Sequence, residues 1–293
     1  MKSKLCKFLP SLAALFVFSA PLFSQPVLVD ADSDVEYATP KDQAIKIMQG
    51  EMVTVIPKGK KTNLDDFAGT QVINAYEIAK HEVTQELYMA VMGANPSSFK
   101  NNPASGEVQE KRPVENVSWY DAVYFCNKLS MIMGLTPAYS VNGQTDPAKW
   151  NYKPHTGDYI SSKVICDYSA SGFRLPTEAE WEMAARGGVA GGWNYEYAGS
   201  DDVETVAWCY YNSNDKTHEV GKKKPNALGL YDMSGNVWEW VWETYPDYPD
   251  RRFCRGGCYY DSSCSCEVSN RYCSDLADRQ DYGMGFRLLR PLN

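Results

Sequence analysis

The stretch from Cys254 to Arg290 constrains this chain more than any other, because it cannot fold by itself. Five of the nine cysteines, Cys254, Cys258, Cys264, Cys266 and Cys273, fall within its first 20 residues. Between them run Tyr259, Tyr260, Asp261, Ser262, Ser263 and Ser265, then Tyr272, Ser274 and Asp275. The stretch has neither the alternation of a strand nor the apolar spacing of a helix, so it supplies no core face of its own. It is bracketed by two segments of structural character, Arg255-Gly256-Gly257 and Gly285-Phe286-Arg287-Leu288-Leu289. A polar, aromatic run held between fixed ends has the composition of a binding surface. The rest of the chain must therefore build the frame.

At 293 residues, with 44% apolar and 23% charged residues, the chain can bury a large core. Its 13% aromatic content, with 20 tyrosines and 8 tryptophans, points to a loop-rich fold with aromatic anchors. The formal charge is −8 and no basic run exceeds Lys222-Lys223-Lys224, which argues against a nucleic-acid partner. Lys2 and Lys4 precede an apolar run, Phe8 to Phe23, that ends in small and polar residues near Ser24-Gln25. That is the pattern of a secretory signal peptide over 1–25, and Pro10, Pro21 and the lack of a polar face argue against a core helix. Cys6 precedes the apolar run, where a lipid-attachment cysteine would follow it. No later run is long and apolar enough to span a membrane. The expectation is an exported monomer at the cell surface, in the periplasm or outside the cell.

Residues 26–50 read as an acidic lead-in to a domain over 51–293. Met52 to Pro57 is β-branched and strand-like, with Lys58 to Lys61 as its turn, and Val72 to His81 is a second strand candidate. Thr84 caps a helix that Gly93 closes, with Val83 and Tyr88 as its hydrophobic staple. Ser118 caps a second helix running to Gly134, whose stripe of Ala122, Phe125, Cys126 and Leu129 makes Cys126 a small buried hydrophobe. Thr177 and Glu180 form a capping box on a third helix, and its helix dipole accounts for Glu178, Glu180 and Glu182 without acid–base chemistry. Trp238, Trp240 and Trp242 lie on one face of a strand and read as core. Asp232 and Glu239 flank a Gly-Asn turn, a pairing of carboxylates and turn carbonyls that suits a hard cation.

Six segments together resemble the formylglycine-generating enzyme family, also called sulfatase-modifying factors. They are Lys80 to Thr84, Arg112 to Trp119, Phe173 to Trp181, Gly229 to Trp240, Arg255-Gly256-Gly257 and Gly285-Phe286-Arg287. The resemblance implies an α+β domain with a C-type lectin-like fold and little regular secondary structure. Positions matching the family imply a structural calcium held by Asp232, Gly235, Val237 and Glu239, and no cofactor beyond it. The enzymes carry two copper-binding cysteines, at the fourth and ninth positions after the Gly-Gly pair. Here the ninth is Cys266 but the fourth is Asp261, and one thiolate does not make a two-sulfur soft-metal site. Cys258 and Cys264 do not stand at the family spacing.

The same stretch resembles the variable region of retroelement-diversified proteins, such as the treponemal variable protein class, which use this fold. In them, selected positions hold a scatter of Tyr, Asp, Ser, Cys, His and Asn between fixed scaffold residues. The scaffold here would be Arg255, Gly256, Gly257, Cys266, Val268 to Arg271 and Gly285 to Arg287. The scatter would be Cys254, Cys258, Tyr259, Tyr260, Asp261, Ser262, Ser263, Cys264, Ser265, Tyr272, Cys273, Ser274, Asp275, Asp281 and Tyr282. The cysteines admit disulfides, a zinc site or scattered, mostly unpaired surface thiols, and the third is the expectation. The function expected is binding of a protein or glycan ligand through 254–282; a copper-dependent formylglycine-forming oxidase is the alternative.

Overall fold

In the computed structural model the described residues are 39–57, 61–63, 70–191, 194–271 and 273–292, with the backbone alone for 61–63, 70–72, 273 and 274. The expected signal peptide over 1–25, and the lead-in as far as 38, lie outside them.

Helix α1, Pro40–Met48, opens the described chain. Thr39 accepts from the Asp42 amide and the Asp42 carboxylate reaches back to the Thr39 amide. Ala44 and Met48 are buried in the same core cluster as the next two helices. The compact unit therefore includes this helix. The lead-in expected over 26–50 is corrected for its last part, which is a core helix.

Strand β1, Met52–Val55, pairs antiparallel with β4, Tyr76–Ala79. Between them β2, Lys61–Asn63, and β3, Thr70–Val72, form an antiparallel ladder, so the single strand expected over 72–81 is divided. Helix α2, Gln85–Met92, and helix α3, Trp119–Ile132, start at the expected caps, Thr84 and Ser118. Strands β5, Tyr139–Val141, and β6, Val164–Cys166, form a small ladder. Helix α4, Glu178–Ala185, carries the Thr177–Glu180 capping box, and α5, Val203–Val206, is a single turn. Cys126 is fully buried on α3, as its stripe predicts.

The largest sheet has the order β10–β7–β8–β9, with β7 at Trp238–Tyr245, β8 at Tyr248–Arg255, β9 at Cys273–Leu276 and β10 at Met284–Gly285. Trp238 and Trp240 on β7 are buried in the main cluster and Trp242 packs against it, so they are core. Strand β11, Leu289–Pro291, returns to β4, giving a second sheet of order β1–β4–β11. Thus the stretch after β8 is tied at both ends. It leaves one sheet at Arg255 and comes back through β10 and β11.

Candidate ligand-binding face

Gly256 and Gly257 fix how the chain leaves β8. Both have left-handed φ, at +99° and +77°, and a Cβ on Gly257 would meet Cys266 Sγ and the Ser265 carbonyl at 2.8 Å. Glycine is required there for the chain to fold back over the 3₁₀ turn Ser263–Cys266. Arg255 is fully buried, lies over Trp181 at 5.0 Å, and pairs with Glu178 at 3.1 Å and Glu182 at 3.0 Å. Glu180 pairs with Arg174 at 2.6 Å while capping α4. Two of the helix glutamates, Glu178 and Glu182, thus hold the bracket, and the third is occupied by Arg174 and its cap.

The expected scatter residues divide into two groups. Cys254, Cys258 and Tyr259 are 0%, 0% and 2% exposed, and Cys266 is also fully buried. Cys254 lies opposite Trp240 across the β7–β8 ladder, and Tyr259 meets Phe99 edge to face at 5.1 Å. Exposed or half-exposed are Tyr260, Asp261, Ser262, Ser263, Cys264, Ser265, Asp275, Asp281 and Tyr282. Tyr272 lies outside the described residues, and Cys273 and Ser274 are described by backbone alone.

The expectation of mostly unpaired surface thiols is corrected. Cys254 is disulfide-bonded, and the β8–β9 register sets it opposite Cys273. Cys258 and Cys266 are free but buried, leaving Cys264 as the exposed free thiol of the three in this stretch. Burial, then Asp261, pushes the Cys258 thiol far up; burial, then Cys209, does the same for Cys266. Such thiols stay protonated and are poor nucleophiles.

Asp261 organises the middle of the face. Its Oδ2 accepts from Trp238 Nε1 at 2.7 Å, from the Cys258 amide at 3.2 Å and from Cys258 Sγ at 2.9 Å. Tyr260 donates to Asp281 Oδ1 at 3.0 Å, and Arg279 links Asp281 to Asp275. The rings of Tyr260 and Tyr282 lie 5.6 Å apart, with Tyr282 half out in solvent at 52%.

Two tyrosines that sequence reasoning missed sit beside this group. Tyr210 and Tyr211 are 68% and 66% exposed, and the Tyr210 amide donates to the Asp261 carbonyl at 2.9 Å. Ser213 Oγ donates to the Tyr259 carbonyl at 2.7 Å, so the 209–213 turn is fastened to the stretch at two points. Adjacent exposed tyrosines in a turn were the available signal, but their neighbour lies some 50 residues away in sequence.

The expected cation donors are not arranged as four equal ligands. Glu239 is taken up by Arg287, at 2.6–2.8 Å through both oxygens, and by Trp181 Nε1 at 2.7 Å. Asp232 accepts from the Gly221 amide through Oδ2, while its Oδ1 is buried without a hydrogen-bond partner. Burial, then Asp232 and Glu239, pushes the Glu82 carboxyl well up. Three buried carboxylates therefore share one guanidinium, and the orphaned Asp232 oxygen suits a hard cation. No three His, Cys, Asp or Glu side chains among the described residues are placed to hold an ion by themselves.

Glu115 is fully buried beneath Phe99, whose amide donates to its Oε1 at 2.8 Å; Oε2 has no hydrogen-bond partner. Burial outweighs these amides and Arg112, raising the carboxyl from 4.5 to about 7. A raised carboxyl stabilises the fold fully below its unfolded value and loses that contribution as pH rises through the folded one. Stability should fall by up to about 3 kcal/mol between pH about 4.5 and 7.5 from this group. Glu115→Gln should flatten that limb in urea unfolding followed against pH; an unchanged slope would assign it elsewhere.

With this geometry in place the relatives are informative. Residues 35–292 match the sulfatase-modifying factor enzyme 1-like domain. The chain belongs to that family. Over 242 residues it is 38% identical to chaperone protein LppX of Paenibacillus barcinonensis, covering 75% of this chain and 82% of that one. Its similarity to the formylglycine-generating enzyme of Streptomyces coelicolor, 35% over 150 residues, spans 40% of this chain and 46% of the enzyme. The solved structure of Treponema denticola variable protein 1 matches with a TM-score of 0.73 at 40% identity, covering 82% of this chain and 95% of that one. The fold is accordingly the α+β, formylglycine-generating-enzyme-like one, and its scaffold is similar to that of this variable protein. Within the family, position four after the glycines is Asp261 in this member. No helix among the described residues is long and apolar enough to cross a membrane.

Proposed function

We propose that this family member is an exported ligand-binding display protein whose diversified C-terminal region contacts a protein or glycan. The observation that carries the reading is the division of the stretch: buried Arg255, Cys258, Tyr259 and Cys266 hold it, while Tyr260 to Ser265 and Tyr282 stand on the surface. Tyrosines give large contact area at small entropic cost, and Ser and Asp adapt by hydrogen bonding. Tyr210 and Tyr211 extend the same face. The likeness to a variable protein favours display over catalysis.

The alternative, a copper-dependent oxidase, fits poorly. Asp261 already accepts from Trp238 and Cys258, and Cys266 is buried beside Cys209 with its thiol held neutral. Purified protein given copper and a sulfatase-motif cysteine peptide is expected to yield no formylglycine by mass spectrometry. Turnover that disappears in Cys266→Ser would make it an enzyme.

We further infer a structural calcium at Asp232, whose Oδ1 is buried without a hydrogen-bond partner, with the carbonyls of Gly235 and Val237 as the further donors at positions matching the family. Glu239 would join only by giving up part of its hold on Arg287 and Trp181. Calcium at a hundred times its Kd adds about 2.7 kcal/mol, or about 5–10 °C in Tm for a domain of this size. EDTA should remove that increment and calcium should restore it. An unchanged Tm, with no metal by elemental analysis, would leave Asp232 a turn residue.

A further inference from the structure

Between α1 and the first turn of α2 lies a cavity of about 280 Å³ that shares no residue with 254–282. Its floor is aliphatic: Met48, Val83, Leu87 and Leu288 are all 6% exposed or less. Its wall is acidic, with Glu51, Glu82, Glu86 and Glu219 facing one lysine, Lys111, and one histidine, His81. The carboxylates are not equivalent. Glu82 is engaged by Asn236 Nδ2 at 2.8 Å and the Val237 amide at 3.1 Å. Glu219 is engaged by Lys222 at 3.2 Å and by the Val108 amide at 2.6 Å. Glu51 accepts from the His81 amide at 2.9 Å and faces its Nδ1 at 3.0 Å, while Glu86 stands half-exposed at the mouth near Lys111. The His81 ring is itself stacked on Tyr231 at 5.0 Å, which fixes this wall.

We propose that the cavity binds a compact alkylammonium ion, its chain on the aliphatic floor and its head between Glu51 and Glu86. Charge decides the class. An anion would meet the carboxylates of Glu51, Glu86 and Glu219, and a neutral apolar guest would desolvate them without compensation. A cation with an aliphatic stem satisfies both surfaces, as lysine side chains do when their stems lie on apolar surface. An ammonium also concentrates its charge and donors at one point, where a guanidinium spreads them over a plane.

The probe is n-pentylammonium, titrated into the purified chain, with 1-pentanol and pentanoate as controls of equal length. The readout is the ε-methyl NMR signal of Met48, which lies on the floor and whose position in the amine-free spectrum also shows whether a variant is folded. The expected result is a saturable shift with a Kd of about 1 mM or tighter for the amine alone. Glu51→Gln and Glu86→Gln should each weaken it about tenfold, the loss of one charge-assisted contact. Equal binding of 1-pentanol, no saturation at tens of millimolar amine, or an unchanged Kd in both variants would each overturn the proposal.

Discussion

Arg287→Ala is expected to cost about 3–5 kcal/mol, the range for removing one partner of a buried ion pair. Arg287 is 0% exposed and donates to Glu239, to the carbonyls of Ala79 and Lys80 on and after β4, and to that of Tyr231. It therefore ties the returning C-terminal segment to both sheets. Its loss would leave Glu239 near Glu82 and Asp232 without the guanidinium that holds it, in a place where burial already opposes charge. Replacing both partners, as Arg287→Met with Glu239→Leu, should recover part of the loss, because two apolar groups leave less to desolvate. The urea midpoints of these two variants and the parent measure this. A single-site cost below about 1 kcal/mol would remove Arg287 from the account of how the face is held.

Tyr259→Ala should cost about 3 kcal/mol, approaching the range for emptied aromatic core sites. Its ring is 2% exposed and meets both Phe99 and Tyr260 edge to face, at 5.1 and 5.0 Å. Tyr282→Ser and Cys264→Ser, at exposed positions of the same stretch, should each stay within about 0.5 kcal/mol. Affinity should move the other way round, since losing an exposed interface tyrosine can cost about 2 kcal/mol of binding. Thermal unfolding of the three variants separates the two classes. If Tyr282→Ser unfolded the chain as readily as Tyr259→Ala, the outer layer would be core.

What was legible in the sequence was what is decided locally. Thr84, Ser118 and Thr177 cap helices through groups three residues away, so their spacing suffices. The same box stands at Thr39 and Asp42, but the acidic residues ahead of it mask a short amphipathic helix. Strand order was not legible. The pairing of β11 with β4 joins residues more than 200 apart, and β10 meets β7 parallel across two residues. The stretch itself was recognised by its composition, yet composition does not separate Cys258 and Tyr259 from Cys264 and Tyr260. That division is made by the glycine turn and by Phe99, Asp261 and Trp238, which reach it from elsewhere in the chain. Tyr210 and Tyr211 were invisible for the same reason.

The most direct test of display is to sequence codons 254–282 of this gene in sibling isolates. Substitutions should concentrate at Tyr260 to Ser265 and at Asp281 and Tyr282, where side chains face solvent in whole or part. They should spare Arg255, Gly256, Gly257 and Cys266, whose burial or left-handed backbone holds the stretch. A region that does not vary, or variation spread evenly along the chain, would contradict a diversified face.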